Sequence, residues 1–122
     1  MNEHILVVDD EAPTRELLSI YFKRRGCTVT ATSTAADALR LITELPIRLV
    51  ILDINLGETS SGVDLLEPIK KARPDVSIIL FSGIILDADA LQDARRKGAA
   101  GYLTKTQPLD QMWAEVQRVL HT

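Results

Sequence analysis

The chain has a single cysteine, Cys27, among its 122 residues. One thiol excludes an internal disulfide and a zinc site built from cysteines, and it suits a reducing compartment. Basic excess is absent too. Fourteen Lys and Arg stand against 17 Asp and Glu, for a formal charge of -3, and the two signs are interspersed. No basic stripe is left to neutralise a phosphate backbone, so direct nucleic-acid binding by this segment is not expected. Long apolar runs are missing as well. The stretch from Ile78 to Leu86 is broken by Ser82 and Gly83 and falls well short of the ~18 residues that a spanning helix requires. The N-terminal MNEHILVVDD reaches carboxylates after four apolar residues, whereas a secretory signal needs a longer apolar region behind positive charge. The expectation is a cytoplasmic protein with no membrane association. No linker, internal repeat or low-complexity run divides the sequence, which predicts one domain over residues 1–122.

What is present is ordinary globular composition, 46% hydrophobic and 25% charged, arranged in a regular alternation. Short β-branched apolar runs are followed by longer segments of helical period, five times over. The first run is Ile5 to Val8, and the segment after it sets Leu17, Leu18, Tyr21 and Phe22 on one helical face before Gly26. Thr28 to Thr32 reads as a weaker strand. Thr34, with Asp37 three residues on, has the form of an N-cap ahead of Ala35, Ala38, Leu39 and Ile42. Leu49 to Leu52 and Ile78 to Phe81 are continuous apolar runs, as expected of parallel strands buried on both faces. Between them Gly62 to Ala72 reads as a helix that Pro68 should kink or delay, since proline removes a backbone donor and crowds the preceding turn. A fourth helix is expected over about Asp87 to Lys97 with Gly98 at its end, then a short strand from Gly101 to Leu103. The last helix carries Pro108 near its first turn and an apolar stripe of Leu109, Met112, Trp113, Val116, Val119 and Leu120. Five successive βα units predict an α/β fold, an open doubly wound parallel sheet with helices on both faces.

In such sheets ligands bind beyond the carboxyl ends of the strands. Those ends are Asp9 and Asp10 after the first strand, Asp53 after the third, Ser82 after the fourth and Lys105 just past the fifth. Three carboxylates brought together repel one another, and a cation among them makes the arrangement favourable at neutral pH. Hard oxygen ligands without cysteine or nearby histidine favour Mg2+ over zinc. An ammonium and a hydroxyl opposite the metal can hold an anion's oxygens, so the set suits phosphoryl transfer with Asp53 as nucleophile.

Each residue alone has a blander reading. An isolated Asp9–Asp10 pair is more simply helix N-terminal charge favoured by the macrodipole. Asp53 by itself is a loop cap, Ser82 a loop hydroxyl bonded to nearby backbone, Lys105 a solvated lysine and Tyr102 a sheet residue with its hydroxyl in water. Only their common placement at strand ends argues otherwise. Met112 and Trp113 read as packing of the last helix, and Arg95, Arg96 and Lys97 as a solvated helix C-terminus. His4 and His121 fall outside the inferred cleft.

The segments ILVVDDE, LVILDIN, ILFSG and GAAGYLTK, in this order and spacing, resemble the successive signature segments of response-regulator receiver domains of two-component signalling. The resemblance covers essentially the whole chain. It implies a flavodoxin-like sheet with strand order 2-1-3-4-5 and five helices. It further implies a phosphorylation-activated switch in which Asp53 takes a phosphoryl group from phosphohistidine on a sensor histidine kinase or histidine phosphotransfer protein. Mg2+ would be held directly by Asp10, more through water by Asp9, and by Asp53 and the main-chain carbonyl of Asn55. Lys105 would pair with the phosphoryl oxygens, Ser82 would close on them, and Tyr102 would turn inward as Ser82 moves. Such a domain is not a conventional enzyme, although it supplies much of the catalysis for its own phosphorylation and slow hydrolysis. Its output would go to a downstream target or an attached output domain.

The sequence departs from the family's common pattern in three places. Gly57 replaces a frequent proline four residues after Asp53, and Gly62 lies nine residues beyond it, so the loop after the third strand is expected to differ in shape. Thr106 replaces the usual proline after Lys105, and a cis bond before a non-proline residue costs ~3 kcal/mol. Ile84, two residues past Ser82, sets an apolar side chain at the cleft mouth. Other functions remain open: a phosphorylation-independent pseudo-receiver module, an aspartyl-phosphate hydrolase, which would want a second aspartate where Asn55 stands, and a flavin-binding domain, which would want a phosphate-cradling loop in place of DDEAPT.

Overall fold

The computed structural model describes residues 3–55 and 62–121. Its elements alternate strictly: β1 (His4–Val8), α1 (Ala12–Lys23), β2 (Thr28–Thr32), α2 (Ala35–Glu44), β3 (Leu49–Asp53), α3 (Gly62–Ala72), β4 (Ser77–Ser82), α4 (Ala88–Lys97), β5 (Gly101–Thr104) and α5 (Leu109–Leu120). The strands form one parallel sheet in the order β2-β1-β3-β4-β5. This is the order implied by the resemblance. The reversal of winding between β1 and β3 opens a crevice at the carboxyl edge.

Strand periodicity sorts the core into two layers. Leu6, Val8, Val50, Leu52, Ile78 and Leu80 face one way and pack against Ala38 and Ile42 of α2, Leu65, Leu66 and Ile69 of α3 and Ala94 of α4. Ile5, Val7, Leu49, Ile51, Ile79 and Phe81 face the other way, against Leu18 and Phe22 of α1 and Met112, Val116 and Val119 of α5. Fully buried side chains such as Leu66 and Ile69 contribute roughly 1.5–3 kcal/mol each. The second layer is tied at its rim, where Tyr21 Oη donates to the Leu109 carbonyl at 3.0 Å and the Phe22 and Trp113 rings lie 6.2 Å apart.

Side chains cap the starts of two helices, at Thr34 as expected and also at Asp87. Thr34 caps α2 by accepting from the Asp37 N–H at 3.2 Å, and Asp87 caps α4 by accepting from Ala90 N–H at 2.8 Å. Helix α3 begins at Gly62 and runs through Pro68, so the proline does not delay its start. The helix is held by its apolar face, with Leu65, Leu66 and Ile69 buried, which offsets one missing backbone bond. The Lys105–Thr106 peptide is trans. Gly57 and the rest of the loop between β3 and α3 lie outside the described residues.

One expectation about α1 is corrected. Leu18 and Phe22 are buried and Tyr21 is half-buried, but Leu17 is 52% exposed and Ile20 is 54% exposed. The contact stripe follows the i, i+4 pair of Leu18 and Phe22. Leu17, about 100° round the helix from Leu18, falls at its margin, in the groove toward α5 that Phe81, Leu109 and Met112 also line.

Candidate phosphoryl-acceptor site

The carboxyl edge of the sheet gathers residues far apart in sequence. Parallel register sets Asp53 opposite Phe81 and Ser82 opposite Thr104, so strands of matched length end on a common line. Asp9 follows β1 directly, Asp53 and Ser82 are the last residues of β3 and β4, and Lys105 is the first past β5. Asp9, Asp53 and Ser82 are almost fully buried, while Asp10 and Glu11 are exposed.

Backbone donors orient the carboxylates. Asp9 Oδ1 accepts from the Glu11 N–H at 2.8 Å, and Asp53 Oδ1 accepts from the Asn55 N–H at 3.1 Å. The Asp9 main chain is pinned by the Asp9 N–H to the Thr32 carbonyl at 3.1 Å and by Arg15 Nη1 to the Asp9 carbonyl at 2.7 Å. Lys105 is held by its own N–H, which donates to the Ser82 carbonyl at 2.7 Å. Its ammonium reaches into the acidic group: Nζ lies 2.8 Å from Glu11 Oε1, 2.9 Å from Asp9 Oδ2 and 3.3 Å from Asp53 Oδ2. Asp9 Oδ2 is buried and makes no hydrogen bond of good geometry. Its contact with Lys105 is therefore one of charge.

Glu11 was not among the residues singled out from the sequence. Its signal was present as the third acid of ILVVDDE, but Glu11 is also the residue that precedes α1. Nothing local distinguishes a cap from a partner of Lys105, 94 positions away.

The electrostatics follow from this crowding. Burial, assisted by the charge of Asp9, pushes the Asp53 carboxyl up to about 6, against the Asn55 N–H and Lys105, which pull it down. Burial also works to lower the Lys105 ammonium, but the close contacts and charges of Glu11, Asp9 and Asp53 outweigh it and raise it. The Lys105 hydrogen bond and charge in turn lower Glu11. Carboxylate oxygens of Asp9, Asp10, Glu11 and Asp53 all come within 4.8 Å of one another, with one ammonium among them. An all-oxygen donor set, an excess of negative charge and a buried Asp9 oxygen without a hydrogen bond fit a hard divalent cation.

Ser82 and Tyr102 stand beside this cluster. Ser82 Oγ accepts from the Ile84 N–H at 3.1 Å. Tyr102 Oη donates to the Ile84 carbonyl at 2.7 Å and accepts from the Leu86 N–H at 3.0 Å, clamping the loop between β4 and α4. Ile84 is 61% exposed beside Ser82. Asn55 is exposed, and its N–H rather than its side chain meets Asp53.

Comparison with known proteins agrees with this geometry. The family described as response regulator receiver domain matches residues 5–117. The chain is 32% identical over 120 residues to the TorCAD operon transcriptional regulatory protein TorR of Escherichia coli, covering 98% of this chain and 51% of that protein. It is 36% identical over 116 residues to the DNA-binding transcriptional regulator NtrC of Rhizobium meliloti, covering 95% and 24%. The chain thus spans about half the length of the first of these relatives and about a quarter of the second. Among solved structures, a response regulator protein from Burkholderia pseudomallei with a phosphorylated aspartic acid, calcium ion and citrate superposes with TM-score 0.86 at 28% identity, covering 95% of this chain and 67% of that one.

Proposed function

Because the chain belongs to the response regulator receiver domain family, we propose that it is a phosphorylation-activated switch whose acceptor is Asp53. The observation that carries this reading is the buried Asp53 carboxylate, 3.3 Å from Lys105 and within 4.8 Å of the other acids. Asp53 attacks the phosphorus of a phosphohistidine on a sensor histidine kinase or histidine phosphotransfer protein. The P–N bond breaks as the O–P bond forms, and the imidazole leaves with its electron pair. The side chain must be ionised to attack, and with its pKa about 6 it is mostly so at neutral pH. Lys105 meets the charge of the incoming phosphoryl oxygens, and the Ser82 hydroxyl closes on them after transfer.

Asp10, Asp53 and the Asn55 carbonyl, with Asp9 through water, would hold Mg2+, which when bound offsets the negative charge that carboxylates and phosphoryl group bring together. Support for an ion here comes from the acidic cluster, and the related Burkholderia protein carries a calcium ion together with its phosphorylated aspartate.

The switch runs through Ser82 and Tyr102. Moving Ser82 toward the phosphoryl group withdraws the acceptor of the Ile84 N–H, and Tyr102 turns inward only by giving up its bonds to Ile84 and Leu86. Phosphorylation therefore remodels the face of α4, β5 and α5 and with it the contact to a downstream target or attached output domain. No described helix is long and apolar enough to cross a membrane, in keeping with action in the cytoplasm. The domain catalyses its own phosphorylation and slow dephosphorylation and is otherwise no conventional enzyme.

The test is phosphorylation of the purified chain by phosphoramidate in Mg2+, read by mass spectrometry. Wild type should gain one phosphoryl group, and Asp53→Asn or excess chelator should abolish the gain. Labelling of Asp53→Asn at the wild-type rate overturns the assignment, and no labelling of wild type favours a phosphorylation-independent interaction module.

A further inference from the structure

The ammonium of Lys105 is crowded by acids. A lysine ammonium has three N–H donors, and three carboxylates lie within 3.3 Å of its nitrogen. Two of those donors go to Glu11 and Asp53 and the Asp9 oxygen stands at 2.9 Å, so a phosphoryl oxygen that comes to Nζ competes with these carboxylates for the space around it.

The three differ in how firmly they are held. Asp9 and Asp53 are 1% and 2% exposed, and each has its other oxygen fixed by a backbone N–H. Their retreat would leave a buried charge without its partner, the expensive outcome. Glu11 is 61% exposed in its side chain, and its carboxylate pairs with Lys105. An exposed ion pair of this kind is cheap to break, because water takes over both charges.

We propose that Glu11 is an anion placeholder: its carboxylate occupies, on Lys105 Nζ, the position that a phosphoryl oxygen takes, and its displacement is part of accepting the phosphoryl group. The proposal rests on the phosphoryl-acceptor reading and deepens it. Glu11 is a positioning residue with two effects. At rest it keeps Lys105 extended over Asp53 from the far side of the cleft, linking the loop after β1 to the loop after β5. During transfer it competes with the phosphoryl group and adds a like charge at the rim, which selects against small free anionic donors. A donor presented by a docked partner is less affected, since docking raises its local concentration.

The experiment compares wild type, Glu11→Gln and Glu11→Asp as folded chains of matched melting temperature, with phosphoramidate and beryllofluoride as probes in saturating Mg2+. Glu11→Gln should be phosphorylated about 3–10-fold faster than wild type at low ionic strength and bind beryllofluoride correspondingly tighter, with the gap closing to within about twofold near 1 M salt. Glu11→Asp keeps the charge but is one methylene too short for the contact, so it should recover at least half of the gain on a logarithmic scale. Equal rates for Glu11→Gln and wild type overturn the proposal. So does a slower Glu11→Gln with weakened Mg2+ binding, which would make Glu11 a metal ligand. A Glu11→Asp rate equal to wild type beside a fast Glu11→Gln would also overturn it, since the field at the rim and not the contact would then matter. Failure of wild type itself to take up either probe would instead strike the acceptor reading.

Discussion

The site should work against the stability of the fold that carries it, and Asp53 provides the measure. Its carboxyl sits at about 6 in the folded chain, against an ordinary 3.8, chiefly through burial. A carboxyl whose folded pKa is raised is bound to its proton more tightly in the native state than in the unfolded one. Stability is then highest below about pH 4, falls as the pH rises from about 4 to 6, and stays reduced above that range. Two pKa units correspond to ~3 kcal/mol at 1.36 kcal/mol per unit. Relaxation of the surrounding groups and water drawn toward the ionised carboxylate reduce the expected cost to about 1–2 kcal/mol. Asp53→Asn keeps the shape and the acceptor for the Asn55 N–H but carries no charge, so in chelator at about pH 7.5 it should be more stable than wild type by that amount. For a chain of this length that is roughly 3–10 °C in melting temperature. At about pH 4.5 the difference should shrink to about a third, since folded Asp53 is then largely protonated. Added Mg2+ should raise the melting temperature of wild type more than that of the variant, because an ion that binds only the folded state stabilises it by mass action. Thermal melts at the two pH values, with and without Mg2+, make the test. An Asp53→Asn protein no more stable than wild type at the higher pH, or a difference unchanged between the two, would refute the reasoning.

Gly62→Ala should destabilise the domain by about 2–3 kcal/mol in urea unfolding, because a Cβ there would collide with the Asp53 carbonyl oxygen, a contact with backbone that has no rotamer to yield. Arg73→Ala should cost about 2–3 kcal/mol by the same assay, and Arg73→Lys should recover little of it. The planar fork of Arg73 serves the carbonyls of Ile42 at 2.7 Å, Leu45 at 3.3 Å and Ile47 at 3.0 Å, which no ammonium can reproduce. Ile84→Glu should shorten the life of the phosphorylated form by ~3–10-fold in Mg2+ without partner proteins. The exposed isoleucine offers an attacking water no hydrogen bond, whereas a carboxylate can orient one; unchanged loss of phosphate from Ile84→Glu and Ile84→Ala would remove it from the account.

Much of this protein could be read one residue type at a time. The continuous apolar runs at Leu49–Leu52 and Ile78–Phe81 specify strands buried on both faces, because only helices on either side of a parallel sheet can keep water from them. The Thr34 and Asp87 caps are set by side chains acting three residues away. The βα alternation made strand ends the place to look for chemistry, and Asp9, Asp53, Ser82 and Lys105 do stand on that edge. Tertiary structure decided what depends on distance through space. Helical period grouped Leu17 with Leu18, but only the way α1 packs beside α5 buried one and exposed the other. The hydroxyl of Tyr102 found the loop at Ile84 and Leu86, a contact that β5 lying beside β4 makes possible. Glu11 could be told from an ordinary helix-start acid only when the fold brought Lys105 to 2.8 Å from it. Short-range signals act through the backbone within a turn or two and are written locally. The partners of a charge are chosen by the packing of the whole sheet, which no local stretch of residues contains.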